Sequence, residues 1–356
     1  MNLKLEALKN IGSSWFGLAV NILVGFFLSP FILHRLGDVA FGLWVLIFSI
    51  SGYYGLFDFG IRSSIIRYVS KYTALNKYEE LNHLINTSLF SYSCLAALLL
   101  LLTGVGSLYL NRLFQIPPSF HETARILFLT VGSALSFGFP LSIFGGILEG
   151  LQKFYILNFT QVISTFARAL LIIFALTHGR GLISVAAITV GLPLVASAVY
   201  AVIVLRTLPL YFGRRFIDRN SFRDVFNYGI VTLMILVGAR LRYRADALVI
   251  GTFLSAAAIT YFTVGARLVD YATDFVTSVA QIFSPMSTHF YSTGDFDKLR
   301  RIFIVGNRAC ALVMLPITTI LIITGKSVIT VWVGAAYVSS YTILLVLLIP
   351  ATLYGI

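Results

Sequence analysis

The chain has 356 residues, of which 58% are hydrophobic and only 11% charged, with a mean hydropathy of +0.91 and a formal net charge of +12. Soluble domains carry about 25% charged residues, so this composition excludes a soluble enzyme as the default; the length instead fits about ten membrane spans of roughly 20 apolar residues each. The basic surplus does not read as nucleic-acid binding, because the basic residues fall between and within apolar runs rather than on one water-facing patch.

In chain order, Lys4 and Lys9 precede an apolar run over 11–33 that is too long for the core of a cleavable signal peptide and reads as a first permanent span. Further runs follow at 39–66, 84–110, 123–148, 154–177, 182–205, 225–250, 255–286, 302–324 and 340–356. Each has helical length, not the 9–11 residues of a barrel strand, so an all-α, polytopic transmembrane bundle is expected. Pro30, Pro140, Pro193, Pro285 and Pro316 sit inside spans, where neighbouring helices can satisfy the freed carbonyls and a static kink is the simplest outcome. Cys94 and Cys310 lie in apolar runs and read as packing residues, neither a disulfide nor a metal pair.

The connecting loops set the orientation. With the N-terminus inside, Arg67, Lys71, Lys77, Lys153 and the Arg206–Arg223 group fall on the cytoplasmic side with Lys298, Arg300 and Arg301, and only Arg35, Arg112, Arg180 and Lys326 fall outside. This asymmetry predicts a cytoplasmic N-terminus. The external loops are short, and no Asp-x-Asp, His-Glu-x-x-His, Gly-x-Ser-x-Gly or phosphate-loop motif is present. A membrane enzyme of glycan assembly is therefore disfavoured, and no cofactor is called for.

The sequence repeats itself. Asn10-Ile11-Gly12 recurs as Asn227-Tyr228-Gly229, Leu36-Gly37 to Leu43 as Leu254-Ser255 to Tyr261, and Ala74–Leu81 as Ser292–Leu299, at a spacing of 217 or 218 residues. An ordered series at constant spacing predicts two lobes of six helices in parallel, 1–226 and 227–356, related by an axis along the membrane normal. On this spacing the second lobe holds only about four helices, and the chain reads as a fragment with at least two more expected after Ile356.

Ionisable residues inside the spans are the strongest functional signal. They are Asp58 and Arg62 in the second span, Arg168 in the fifth, Arg240, Arg242, Arg244 and Asp246 in the seventh, and Arg267, Asp270 and Asp274 in the eighth. A charge at mid-bilayer costs about 2.5–3.5 kcal/mol on the lenient insertion scale, so these groups must pair or line an aqueous cavity. Spacing offers the pairs Asp58–Arg62, Arg242–Asp246 and Arg267–Asp270, of which the last two have a structural ion pair as the alternative reading. Arg62 and Arg308 lie close enough to span ends to snorkel to the interface. Arg168, Arg240 and Arg244 have no carboxylate three or four residues away on their own helix. Six Arg against four Asp leave two positive charges, and the planar guanidinium suits phosphate oxygens. A phosphate or pyrophosphate head group is the expected ligand.

At this point the sequence resembles the polysaccharide and O-antigen flippases of the multidrug/oligosaccharidyl-lipid/polysaccharide exporter superfamily. The similar residues are Asn10-x-Gly12, Pro30-x-x-x-x-Arg35-Leu36-Gly37, Phe41-Gly42-Leu43-Trp44, Asp58-Phe59-Gly60, Tyr68-Val69-Ser70, Glu79-Glu80-Leu81, Asp246-x-Leu248-x-Ile250-Gly251 and Trp332-Val333-Gly334. The resemblance implies an alternating-access carrier in a bacterial or archaeal cytoplasmic membrane. Such a carrier moves polyprenyl-pyrophosphate-linked oligosaccharide from the inner to the outer leaflet and can associate with glycan polymerisation and export machinery. Arg168, Arg240 and Arg244, with Arg242 and Arg267, are then candidates for head-group binding; Asp58, Arg62, Asp246, Asp270 and Asp274 are candidate cavity groups or gate pairs. A drug or peptidoglycan-precursor exporter of the same superfamily is the alternative, although a pump for cationic drugs calls for an acidic cavity instead of a basic one.

Overall fold

A computed structural model describes residues 3–218, 221–223, 234 and 245–355. Ten helices are named here: α1 (Leu3–Leu36), α2 (Asp38–Gly52), α3 (Ile61–Ala74), α4 (Tyr78–Leu113), α5 (His121–Gly150), α6 (Phe154–Thr177), α7 (Leu182–Thr207), α8 (Ala256–Ser292), α9 (Phe296–Trp332) and α10 (Ser340–Gly355). Residues 245–253 are also helical, and no strand occurs among the described residues. The chain is thus all-α, as its span lengths require.

Seven helical segments among the described residues are long and apolar enough to cross a membrane: Ala19–Leu36, Asp38–Asp58, Tyr78–Leu113, Pro118–Gly150, Phe154–Thr177, Leu182–Thr207 and Phe296–Trp332. They account for seven of the ten expected spans. Of the other three, 225–250 lies mostly outside the described residues. The span expected at 255–286 forms within α8, which is long enough but carries Arg267, Asp270 and Asp274 in its middle, and the last, α10, is short.

The chain divides into two compact units, Met1–Ala257 and Ala258–Ile356. The lobe boundary expected at 226/227 falls outside the described residues. In the first unit α5 is the central helix, packed on α7, α4, α3 and α2, while α1 runs along α6. One core joins Ile61, Ile65 and Val69 of α3 to Leu84 and Ile85 of α4 and Ile147 of α5. A second joins Leu43 and Ile47 of α2 to Leu127 and Val131 of α5 and Ala186 of α7. The central helix approaches closely because it is rich in small residues: a Cβ on Gly132 would stand 2.4 Å from the Thr103 Cγ2 atom. In the second unit Ala272 and Val276 of α8 meet Cys310 and Met314 of α9, and Gly265 brings α8 against the first turn of α10.

The helix ends carry the sequence repeat. Helix α2 starts at Asp38 and α8 at Ala256; α3 ends at Ala74 and α8 at Ser292; α4 starts at Tyr78 and α9 at Phe296. Each pair is 218 residues apart. The intervening turns match as well, with left-handed backbone at Asn76 and at Gly294. Even the ion pair closing each turn is equivalent, with its polarity exchanged. Lys77 Nζ stands 2.8 Å from Glu80 Oε1 in the first, and Lys298 Nζ 2.7 Å from Asp295 Oδ2 in the second. Asp295 also caps α9, accepting from the Lys298 backbone N–H at 3.1 Å, and its carboxyl is held below the usual carboxylate range by these contacts with Lys298.

Among the described residues the repeat breaks between α2 and α3. Helix α8 is continuous over 37 residues, whereas the equivalent stretch of the first unit is interrupted: α2 ends at Gly52, a 3-10 segment runs from Tyr53 to Asp58, and α3 begins at Ile61. Phe59 and Gly60 both adopt left-handed backbone, φ 47° and 71°. Gly52, Gly55 and Gly60 lie within nine residues, and such a density of glycine removes helix propensity from a segment that apolar composition alone would make a helix. The single span expected over 39–66 is therefore two helices with a break between them.

After α7 the chain turns back along the start of α4, which holds it by side-chain amides. Asn82 Oδ1 accepts from the Tyr211 N–H at 2.7 Å and Asn86 Oδ1 from the Gly213 N–H at 3.0 Å. The two Nδ2 groups donate to the carbonyls of Pro209 and Tyr211, and Thr87 Oγ1 accepts from the Asp218 N–H. An irregular segment carries backbone groups that helices do not satisfy, and these amides supply both partners.

Candidate functional site: a broken span and a lone arginine

Backbone irregularity inside a membrane-spanning helix is tolerated where it lies within protein or lines a cavity, which makes the break at Gly52–Gly60 the natural place to look for polar chemistry. There the unwound turn presents the Asp58 carboxylate to α4, where the Tyr92 hydroxyl donates to it. The Gly60 and Arg62 backbone N–H groups also donate to Asp58. Tyr92 is fully buried, with its ring edge-on to Phe139 at 5.7 Å. One turn of α3 further on, Arg62 crosses to the end of α5 and meets Glu149, with Nη2 2.5 Å from Oε1. The Tyr200 ring of α7 lies close enough for both charges to act on it.

This geometry adds a partner to the pairing expected from spacing: the Arg62 charge still acts on Asp58, but its ion pair is with Glu149. Asp58 and Arg62 are four residues apart but do not share a helix face, because Phe59 and Gly60 turn the chain between them. Arg62 pairs with Glu149 instead of snorkelling freely. Counting Glu149 with the membrane charges reduces the expected surplus of two positive charges to one.

Arg168 has a different environment. It lies past the middle of α6, half-buried, one turn from the side that faces α1. One turn away the fully buried Thr165 donates to Asn21 Oδ1 of α1 at 3.1 Å, and Gly17 of α1 sits against Val162. Arg168 has no hydrogen-bond or ion-pair partner among the described residues. A guanidinium with five donors, desolvated and unpaired, is a costly arrangement unless an anion or water meets it.

The remaining candidates separate. Arg267, Asp270 and Asp274 lie along one exposed stripe of α8 in the second unit, with Arg267 near enough to Asp274 to act on its charge. Asp246 is exposed at the start of the 245–253 helix, which is tied to the α4–α5 connection by the Gln115 N–H donating to the Gly251 carbonyl at 2.9 Å. Arg240, Arg242 and Arg244 lie outside the described residues. Sequence reading missed Tyr92, Glu149, Asn21 and Thr165. Glu149 precedes the helix-ending Gly150 and reads as a loop charge, although the run of glycines beside it gave a hint of close packing.

Membrane-length helices, a repeated helix register and charges held within the spans define a multi-pass helical membrane protein. Its fold is that of MOP-superfamily transporters. A structure described as the inward-facing conformation of a multidrug resistance MATE family transporter superposes with a TM-score of 0.71 at 15% identity, covering 95% of this chain and 81% of that one. A structure described as "Reverse polarity of binding pocket suggests different function of a MOP superfamily transporter from Pyrococcus furiosus" gives 0.67 at 15% identity, covering 98% of this chain and 82% of that one. The chain belongs to the family described as "Polysaccharide biosynthesis protein", whose profile matches residues 7–290. It is 25% identical over 346 residues to "Uncharacterized membrane protein EpsK" of Bacillus subtilis (strain 168), covering 92% of this chain. It is 23% identical over 349 residues to "Putative O-antigen transporter" of Shigella flexneri, covering 97%. The chain spans 65% of the length of the first relative and 81% of the second.

Proposed function

We propose that the protein is a flippase, not an enzyme, that carries polyprenyl-pyrophosphate-linked oligosaccharide from the inner to the outer leaflet of the cytoplasmic membrane by alternating access. Its two parallel lobes divide near residue 226, and its N-terminus is cytoplasmic. The observation that carries the reading is Arg168, a half-buried membrane cation with no partner among the described residues. An anionic substrate supplies what this site lacks, and a fork of parallel N–H groups matches phosphate oxygens. Arg240, Arg242, Arg244 and Arg267 extend the same anion preference. Asp58, Asp246, Asp270 and Asp274 then serve as counter-charges that let the empty carrier reset. Membership of a polysaccharide biosynthesis family, and similarity to a protein named for O-antigen transport, support a glycan as the cargo.

Replacing Arg168 tests the reading. Arg168→Ala is expected to lower surface glycan at least tenfold at unchanged membrane abundance, the loss of one charge-assisted contact of about 1.5–3 kcal/mol. Arg168→Lys keeps the charge without the fork and should retain part of the activity. Wild-type export by the alanine variant would remove Arg168 from the site.

A further inference from the structure

Helix α6 has two faces of opposite chemistry. Phe159, Phe166, Leu170 and Ile173 are exposed on one side, as expected where lipid is the solvent. At about 100° per residue, Asn158, Gln161, Ser164, Thr165 and Arg168 gather within an arc of about 120° on the opposite side. Thr165 on this arc is buried against α1, yet Gln161 is exposed. An amide turned away from the lipid face and still accessible borders water, because a polar side chain in a span is otherwise driven into the bundle interior. Neither Gln161 nor Ser164 has a hydrogen-bond partner among the described residues. Gln161 stands two turns from Arg168, about 10 Å along the helix.

We propose that this face of α6 recognises the sugar next to the substrate's phosphate, with the Gln161 amide and the Ser164 hydroxyl hydrogen-bonding to sugar hydroxyls while Arg168 holds the phosphate. A carboxamide offers donors and an acceptor side by side, and a hydroxyl is both at once; these are the complements of neighbouring hydroxyls on a pyranose ring. The arc opposite is dominated by the exposed Phe159, Phe166, Leu170 and Ile173, so sugar selectivity resides on the polar arc of α6. The inference rests on the reading of the cargo as a lipid-linked glycan and adds the residues that sense its sugar.

The test uses the purified protein and two probes, polyprenyl pyrophosphate bearing one N-acetylhexosamine and bare polyprenyl pyrophosphate. Wild type is expected to bind the glycosylated lipid about tenfold more tightly. Gln161→Leu with Ser164→Ala should remove that preference and leave the bare lipid bound within twofold of wild type; Gln161→Ala replaces the leucine variant if the latter does not fold. Arg168→Ala should weaken both probes. Equal binding of the two probes by wild type, or an unchanged preference in the Gln161/Ser164 variant, overturns the inference. Unchanged binding of both probes by Arg168→Ala instead overturns the phosphate site, so the two failures are distinguishable.

Discussion

Arg240→Ala combined with Arg244→Ala is expected to abolish glycan export while the protein still inserts at normal abundance. These residues stand four apart in the seventh expected span, with like charge and no carboxylate three or four residues from either on that helix. Like-charged neighbours at this spacing repel, and each charge at mid-membrane costs about 2.5–3.5 kcal/mol. A helix that keeps both therefore uses them on something anionic. Two charge-assisted contacts of about 1.5–3 kcal/mol each amount to a loss of about 10² to 10⁴-fold in substrate affinity. Insertion should if anything improve, since two charges leave an expected span. The measurement is surface polysaccharide normalised to membrane protein, and wild-type export by the double variant would contradict a phosphate role for this pair.

Tyr92→Phe is expected to destabilise the first unit by about 1–3 kcal/mol, through loss of the hydroxyl that donates to Asp58. The ring would remain packed on Phe139, so the change isolates the hydrogen bond from the packing. Asp58 would keep its contacts with the Gly60 and Arg62 backbone N–H groups. With Asp58→Asn as the second arm, thermal unfolding in detergent should give a double-variant cost well below the sum of the single costs, the signature of a direct coupling. Additive costs would mean that the pair does not hold the break together.

The parts of this fold set by local composition were legible in the sequence. Span lengths follow from apolar runs, and the 218-residue register reappears in the helix ends at Ala74 and Ser292 and at Tyr78 and Phe296. What spacing could not supply was the partner chosen by tertiary packing. The Asp58–Arg62 pair was inferred on an unbroken helix; the Arg62 charge and backbone N–H do act on Asp58, but the guanidinium's ion pair is with Glu149, and the left-handed backbone at Phe59 and Gly60 was signalled by the three nearby glycines. Glu149 and Tyr92 are 87 and 34 residues from the groups they contact, a separation on which helical periodicity carries no information. Arg168 was legible for the opposite reason. A charge without a same-helix partner is visible in one dimension, and folding gives it no partner among the described residues.

The central claim is that the protein moves a lipid-linked glycan across a bilayer, and reconstitution tests it most directly. Proteoliposomes are loaded with a fluorescent polyprenyl-pyrophosphate oligosaccharide, the outer-leaflet pool is first cleared with an external glycosidase, and digestion of the protected pool is then followed. With wild-type protein the protected half is expected to become digestible, at a rate that falls with Arg168→Ala. If the protected half stays protected at the level of protein-free vesicles, the protein does not flip this class of lipid.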